Sequence, residues 1–243
     1  MYPYHVQREQ HLRPGEFAER LEFCKWLNGS RELHGYILFT DESQFNRDGV
    51  NNTHNSHMWA DENPHATLES NFQQRFSVNV WCAVLDDQLI CPFILEGRLP
   101  GEAYLRFLQE ELPRLKEDVP LNKRVCMYFQ HEGAPPHSSR EVRNFLNYRF
   151  PGRWIGRGRP HNWLARSPDL SPQNYCVWGW MKELVYSMKV VTRDELLGRI
   201  WMPQTASETA SGNYIEPLAQ FTTERQPVLR PAVVFSKTSL KHR

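Results

Sequence analysis

Between Arg124 and Glu183 the sequence sets a short apolar run, VCMYF, directly before QHEGAPPHSS, then an amphipathic stretch, a loop of arginines and glycines, and RSPDLSPQNYCVWGWMKELV. A short apolar run bounded by turn residues reads as a buried strand, here residues 125–129, with an acid, Glu132, just past its end. One strand cannot stand alone, so the chain before it must supply a sheet. YILFTDESQF is the first candidate: residues 36–40 are β-rich and run into Asp41-Glu42-Ser43, placing acids at the carboxyl end of a strand, where open α/β sheets hold ligands. Residues 76–85 (FSVNVWCAVL) and 88–95 (QLICPFIL) then flank the turn Asp86-Asp87 as a hairpin.

Helical periodicity fills the gaps. Phe17, Leu21, Cys24 and Leu27 fall on one face of EFAERLEFCKWLN, predicting a helix docked on the sheet. From Gly101, Leu105, Leu108, Leu112 and Leu115 share a face, with Pro113 late enough to bend or end the helix. Residues 138–141 offer a capping box for a helix burying Val142, Phe145 and Leu146; Trp154-Ile155 is a short strand; the helix after SPQN buries Val177, Met181, Leu184 and Val185. A second capping box, from Thr192 to Glu195, starts a short helix through Ile200. Past Trp201 the chain turns small, polar and aperiodic, the signature of a linker or a disordered tail. Residues 46–65 are turn-rich around a short strand at 57–60, and His54 and His57 read as loop residues because no third ligand stands on a regular element nearby.

An apolar content of 40% over 243 residues supports one domain plus an extension. With 29 Lys and Arg against 28 Asp and Glu, overall charge announces no nucleic-acid partner, and any such binding must come from local patches. Five scattered cysteines without C-x-x-C spacing indicate neither a disulfide framework nor a zinc ribbon and read as reduced and intracellular. No apolar run is long enough to span a bilayer, so a soluble chain without a membrane partner is expected.

The order strand, strand, strand, helix, strand, helix, strand, helix resembles the ribonuclease-H-like topology, an α/β fold with a mixed sheet flanked by helices. FTDESQF, Trp59 followed by ENPH, FQHEGAPPH and RSPDLSPQNYCVWG together resemble the catalytic domain of mariner-type cut-and-paste transposases, over about residues 1–200. The resemblance implies a linker and docking helix over 1–35, the catalytic domain over 36–200 and a divergent tail over 201–243. It implies a DDE-type endonuclease that uses Mg²⁺ or Mn²⁺ in a two-metal site. The reaction is hydrolysis of a DNA phosphodiester followed by attack of the freed 3′-hydroxyl on target DNA, as in DNA transposition and integration by a transposable element. DNA as partner, a homodimer and the nucleus as compartment are implied with it. The family's paired helix-turn-helix modules are joined to the catalytic domain by a linker resembling YPYHVQREQ, so they are expected to be absent from this sequence.

The three metal-binding, catalytic acids of that family match Asp41, Glu132 and Asn174. The second is typically aspartate and the third aspartate or glutamate, so two positions depart from the pattern. Glu132 keeps its charge on a longer arm, and displacing a catalytic group by about 1 Å costs on the order of a hundredfold. Asn174 offers a neutral carbonyl where a hard cation needs a carboxylate. Impaired catalysis is therefore expected, with a non-catalytic nucleic-acid- or protein-binding module as the alternative. Arg153, Arg157 and Arg159 are candidates for DNA phosphate contact, against a plain solvated loop. Trp178 and Trp180 read as packing residues, whereas His131 and His137 stay open between orienting a phosphate or a water and a supporting role in the turn.

Overall fold

The structure, a computed structural model, describes residues 13, 15–29, 32–49, 76–157, 161–163 and 167–209. Most of the predicted turn-rich segment 46–65, with its strand at 57–60, Arg159 and most of the tail lie outside them.

Five strands, β1 (Ile37–Asn46), β2 (Ser77–Leu85), β3 (Gln88–Leu95), β4 (Tyr128–Gln130) and β5 (Trp154–Ile155), form one sheet in the order β3-β2-β1-β4-β5. β1, β2 and β3 are antiparallel neighbours, and β4 and β5 join parallel to β1. Strict alternation along β2 explains why both faces must be covered. Val78, Val80, Cys82 and Val84 join one apolar cluster, while Trp81, Ala83 and Leu85 join another on the opposite face.

The second face is covered by α2 (Gly101–Arg106), a π-helical turn (Phe107–Glu111), α3 (Leu112–Leu115) and α5 (Arg140–Arg149). The π turn ends two residues before Pro113, whose ring and missing N–H disrupt a regular i to i−4 ladder, so the predicted bend takes this form. Ser139 caps α5, accepting from the Val142 N–H at 3.3 Å, one residue later than the predicted box. The first face is covered by α1 (Glu16–Asn28), α6 (Trp178–Val185) and α7 (Arg193–Thr209).

Several expectations are corrected. α1 buries Phe23 and Leu27, whereas Phe17 is 58% and Leu21 40% exposed, because the helix meets the sheet through its second half only. The predicted strand at 125–129 splits: residues 121–126 form α4 (Leu121–Cys126) behind Pro120, with Val125 on the surface, and only the last residues pair. β1 runs six residues past Thr40, so Asp41 lies inside the strand and not at its end. Leu184 is 40% exposed, and α7 continues through Thr209 where a linker was expected after Trp201.

Candidate active site

β4 ends early, and that creates the site. Its last parallel pair with β1 is Phe39 with Gln130; beyond it β1 continues while its edge toward β4 lies open. Gln130 closes the ladder, accepting the Thr40 N–H through its side chain at 3.0 Å and the Thr40 hydroxyl through its backbone carbonyl at 2.7 Å. Asp41 and Glu132 each stand two residues beyond that final pair, and both line an open cleft of about 610 Å³ together with Asn174.

Asn174 is delivered by a second device. Gln173, fully buried, donates to the Phe39 carbonyl at 2.5 Å and accepts from the Ser171 hydroxyl at 2.9 Å, which pins the start of the helical segment leading into α6 to β1. The segment opens with a π turn (Gln173–Val177), a widening common at functional sites, and runs straight into α6. Asn174 Nδ2 then donates to Asp41 Oδ2 at 2.8 Å, and Trp178 Nε1 donates to the same oxygen at 2.7 Å. Thus Asp41, Glu132 and Asn174, spread over 133 positions, share one cleft.

Burial dominates the electrostatics. Asp41 is 5% exposed, and desolvation pushes its carboxyl up to about 7; the Trp178 hydrogen bond opposes this, and the charges of Glu132 and Glu42 add to it. Glu132, although exposed as a residue, is raised by partial desolvation of its carboxyl in the cleft and by Glu42, against the pull of His137. His137 is shifted upward: burial disfavours its charge, but the contact with Glu42, the Glu132 carbonyl and both carboxylates outweigh it.

The arginines fare differently. Arg157 lines the cleft beside Gly133, and Arg13 lines it too, although Glu16 and Glu19 of α1 face the same space. Arg153 is directed elsewhere. Its guanidinium donates to the Val125 carbonyl and, at 3.2 Å, to that of Met127, bracing α4 against β4. Asp169 of the SPDL run is paired with Arg20 of α1, whose guanidinium also donates to Ser167 at 2.6 Å, so it is not available to substitute for Asn174.

Gln173, Trp178, Glu42 and His137 acquire roles that periodicity did not assign. The spacing of Asn174 and Trp178, four apart at a helix start, is the one local signal that both reach a common point. Glu42, by contrast, is distinguished only by its pairing with His137, which comes from the turn before α5.

A pair of divalent cations does not fit Asp41, Glu132 and Asn174 in this arrangement. Asp41 Oδ2 already accepts two hydrogen bonds, and Asn174 turns its NH₂ group, not its carbonyl, toward the carboxylate. A denser donor set lies alongside: one ligand atom each from Glu42, Glu132 and His137 fall within 4.8 Å of one another.

No protein-family model matches the sequence, and no curated protein matches it. Solved structures do. A pre-cleavage Mos1 transpososome is similar with a TM-score of 0.66 at 18% identity, over 95% of this chain and 66% of that one. The Mos1 mariner paired end complex with Mn gives 0.65 at 16% identity, again over 95% and 66%. The catalytic domain of Mos1 mariner transposase gives 0.57 at 16% identity, over 92% and 96%. The fold is ribonuclease-H-like. At these identities the likeness speaks for the fold alone, and the chain spans 66% of the length of the transposase in those complexes. Among the described residues, no helix is long and apolar enough to cross a membrane.

Proposed function

We propose that this chain is a mariner-type, transposase-derived DDE domain that binds DNA and whose strand-cleavage and strand-transfer chemistry is impaired. The observation that carries the reading is the convergence of Asp41, Glu132 and Asn174 on the open edge of β1, at the positions matched by the family's three acids. DNA as partner is supported by the likeness to transposase complexes with transposon ends and by Arg157 and Arg13 in the cleft. Action in the nucleus and as a homodimer belongs to the same proposal. Impairment follows from the residues themselves: a neutral amide at Asn174 already satisfies Asp41, and Glu132 carries its charge on a longer arm.

The test is nicking of supercoiled plasmid in Mg²⁺ and in Mn²⁺ by the unaltered chain, Asn174→Asp, Glu132→Asp and the double variant. The unaltered chain should be nearly inactive, Asn174→Asp should restore more activity than Glu132→Asp, and Mn²⁺ should serve better than Mg²⁺, which demands near-ideal octahedral geometry. Robust cleavage that survives Asp41→Ala would place the chemistry elsewhere. A second reading, a non-catalytic nucleic-acid- or protein-binding module, draws on the Asn174 to Asp41 bond, which closes the site without any cation. DNA binding without nicking in every variant would favour it.

A further inference from the structure

We propose that Glu42, Glu132 and His137 form a binding site for one divalent transition-metal cation of the Zn²⁺ or Mn²⁺ class, distinct from the Asp41, Glu132, Asn174 set. It rests on the transposase reading only in that Glu132 belongs to both. The site is built across two elements. Glu42 comes from β1 on the face opposite Asp41, and His137 from the 3₁₀ turn Pro135–Ser138 that precedes α5.

The histidine's two ring nitrogens carry the inference. Nδ1 lies 3.1 Å from the Glu132 backbone carbonyl, which can only accept, so Nδ1 holds the proton. Nε2 of the neutral ring is then a lone pair, and it faces Glu42 Oε1 at 3.4 Å, another acceptor. That distance is long for a charge-assisted hydrogen bond, which runs about 2.7–2.9 Å. The Glu42 oxygen is buried and has no hydrogen-bond partner among the described residues. Two buried acceptors held face to face need a positive charge between them. An added proton is one solution and a cation the other; the proton leaves the Glu132 carboxylate attracted only through space, whereas a cation takes it as a direct ligand from within 4.8 Å. Ligand atoms about 2.0–2.2 Å from a tetrahedral ion stand roughly 3.4 Å apart, as Nε2 and Oε1 do.

The surroundings suit a ligand. The His137 side chain is 2% exposed, and Tyr104 stacks on its ring with centroids 4.1 Å apart, fixing its plane. A backbone carbonyl on the far nitrogen is how metal-bound histidines are commonly oriented. Glu132 is exposed and follows a three-residue strand, so a small closing movement of its side chain completes the set. One imidazole with two carboxylates selects Zn²⁺ or Mn²⁺ over Mg²⁺, which prefers oxygen and retains its waters.

The experiment is calorimetric titration of the whole chain with Zn²⁺, Mn²⁺ and Mg²⁺, together with X-ray absorption at the zinc edge. One Zn²⁺ per chain, with a single imidazole in its first coordination sphere, is expected. Affinity should fall at least tenfold in His137→Gln and in Glu42→Gln and change less than twofold in Asn174→Ala. Absence of binding, a coordination sphere without imidazole, or affinity lost in Asn174→Ala and kept in His137→Gln would overturn the proposal. Absorption on the unaltered chain decides the matter even where a variant fails to fold. Zinc bound here by a chain that neither binds nor nicks DNA would defeat the transposase reading and leave this site standing. Nicking restored by Asn174→Asp with no imidazole-bound metal would do the reverse.

Discussion

Asn174 donates its side-chain amide to Asp41 at 2.8 Å across 133 positions of sequence. Two carboxylates at that separation would repel unless a cation lay between them, so the amide makes the pair stable without metal. Asn174→Asp should therefore destabilise the protein in EDTA at pH 8 by about 1–3 kcal/mol, the cost of replacing the donor to a buried carboxylate by a like charge. Millimolar Mg²⁺ should raise the melting temperature of the variant more than that of the unaltered chain, since only the variant gains a ligand. Equal responses in thermal unfolding would contradict this.

Asp41 also sets a pH dependence. Its carboxyl titrates near 7 in the folded chain against 3.8 when unperturbed. Between those values the native state keeps a proton that the unfolded chain has released, so this group's contribution falls as pH rises from about 4 to about 7 and stays lost above. At roughly 1.4 kcal/mol per unit the loss is at most about 4 kcal/mol. Asp41→Asn keeps an acceptor for Asn174 and Trp178, and should exceed the unaltered chain in urea stability at pH 8 but not at pH 4, both in EDTA.

Lys116 gives the opposite slope. It is 6% exposed, with its ammonium 5.2 Å from the Phe150 ring centroid, and desolvation, aided by Arg149 and Arg124, lowers it to about 8 from 10.5. The unfolded chain binds the extra proton between those values, so stability rises as pH climbs through the window. Lys116→Met should stabilise the protein at pH 7 by up to about 3 kcal/mol, with the gain fading toward pH 10.5 in denaturant titrations.

Arg157 and Arg153 are separable by salt. Arg157→Ala should weaken duplex DNA binding and lower the slope of log affinity against log salt by about 1, as loss of one phosphate contact does. Arg153→Ala should leave that slope unchanged and lower stability, because its guanidinium is bound to the carbonyls of Val125 and Met127. Fluorescence anisotropy across a salt series, paired with thermal melts, checks both.

Trp178→Phe removes one of two donors to a buried carboxylate oxygen while conserving most of the packing. A stability loss of about 1–3 kcal/mol at pH 8 is expected, shrinking as pH falls through about 7, where Asp41 takes up its proton. A loss that does not vary with pH would mean the indole acts by packing alone.

The alternation of β2, its return as β3 after the turn at Asp86-Asp87, and the helices α5 and α6 were legible in the sequence, because each is written in local period or local spacing, whereas Asp41, Glu132 and Asn174 were singled out only by resemblance to family motifs. Packing decided the rest. Which face of α1 is buried depended on where the helix meets the sheet, so Phe23 replaced Phe17 in the core. Whether residues 121–126 became strand or helix depended on how much of β1 remained to pair, and three residues sufficed. Most of all, sequence determined that an amide stands at position 174, but only the tertiary structure decided that it donates to Asp41 and that Glu42 faces His137 at 3.4 Å. Periodicity specifies the face on which a side chain lies; its partner is chosen by elements far along the chain, through buried groups that have no water to turn to.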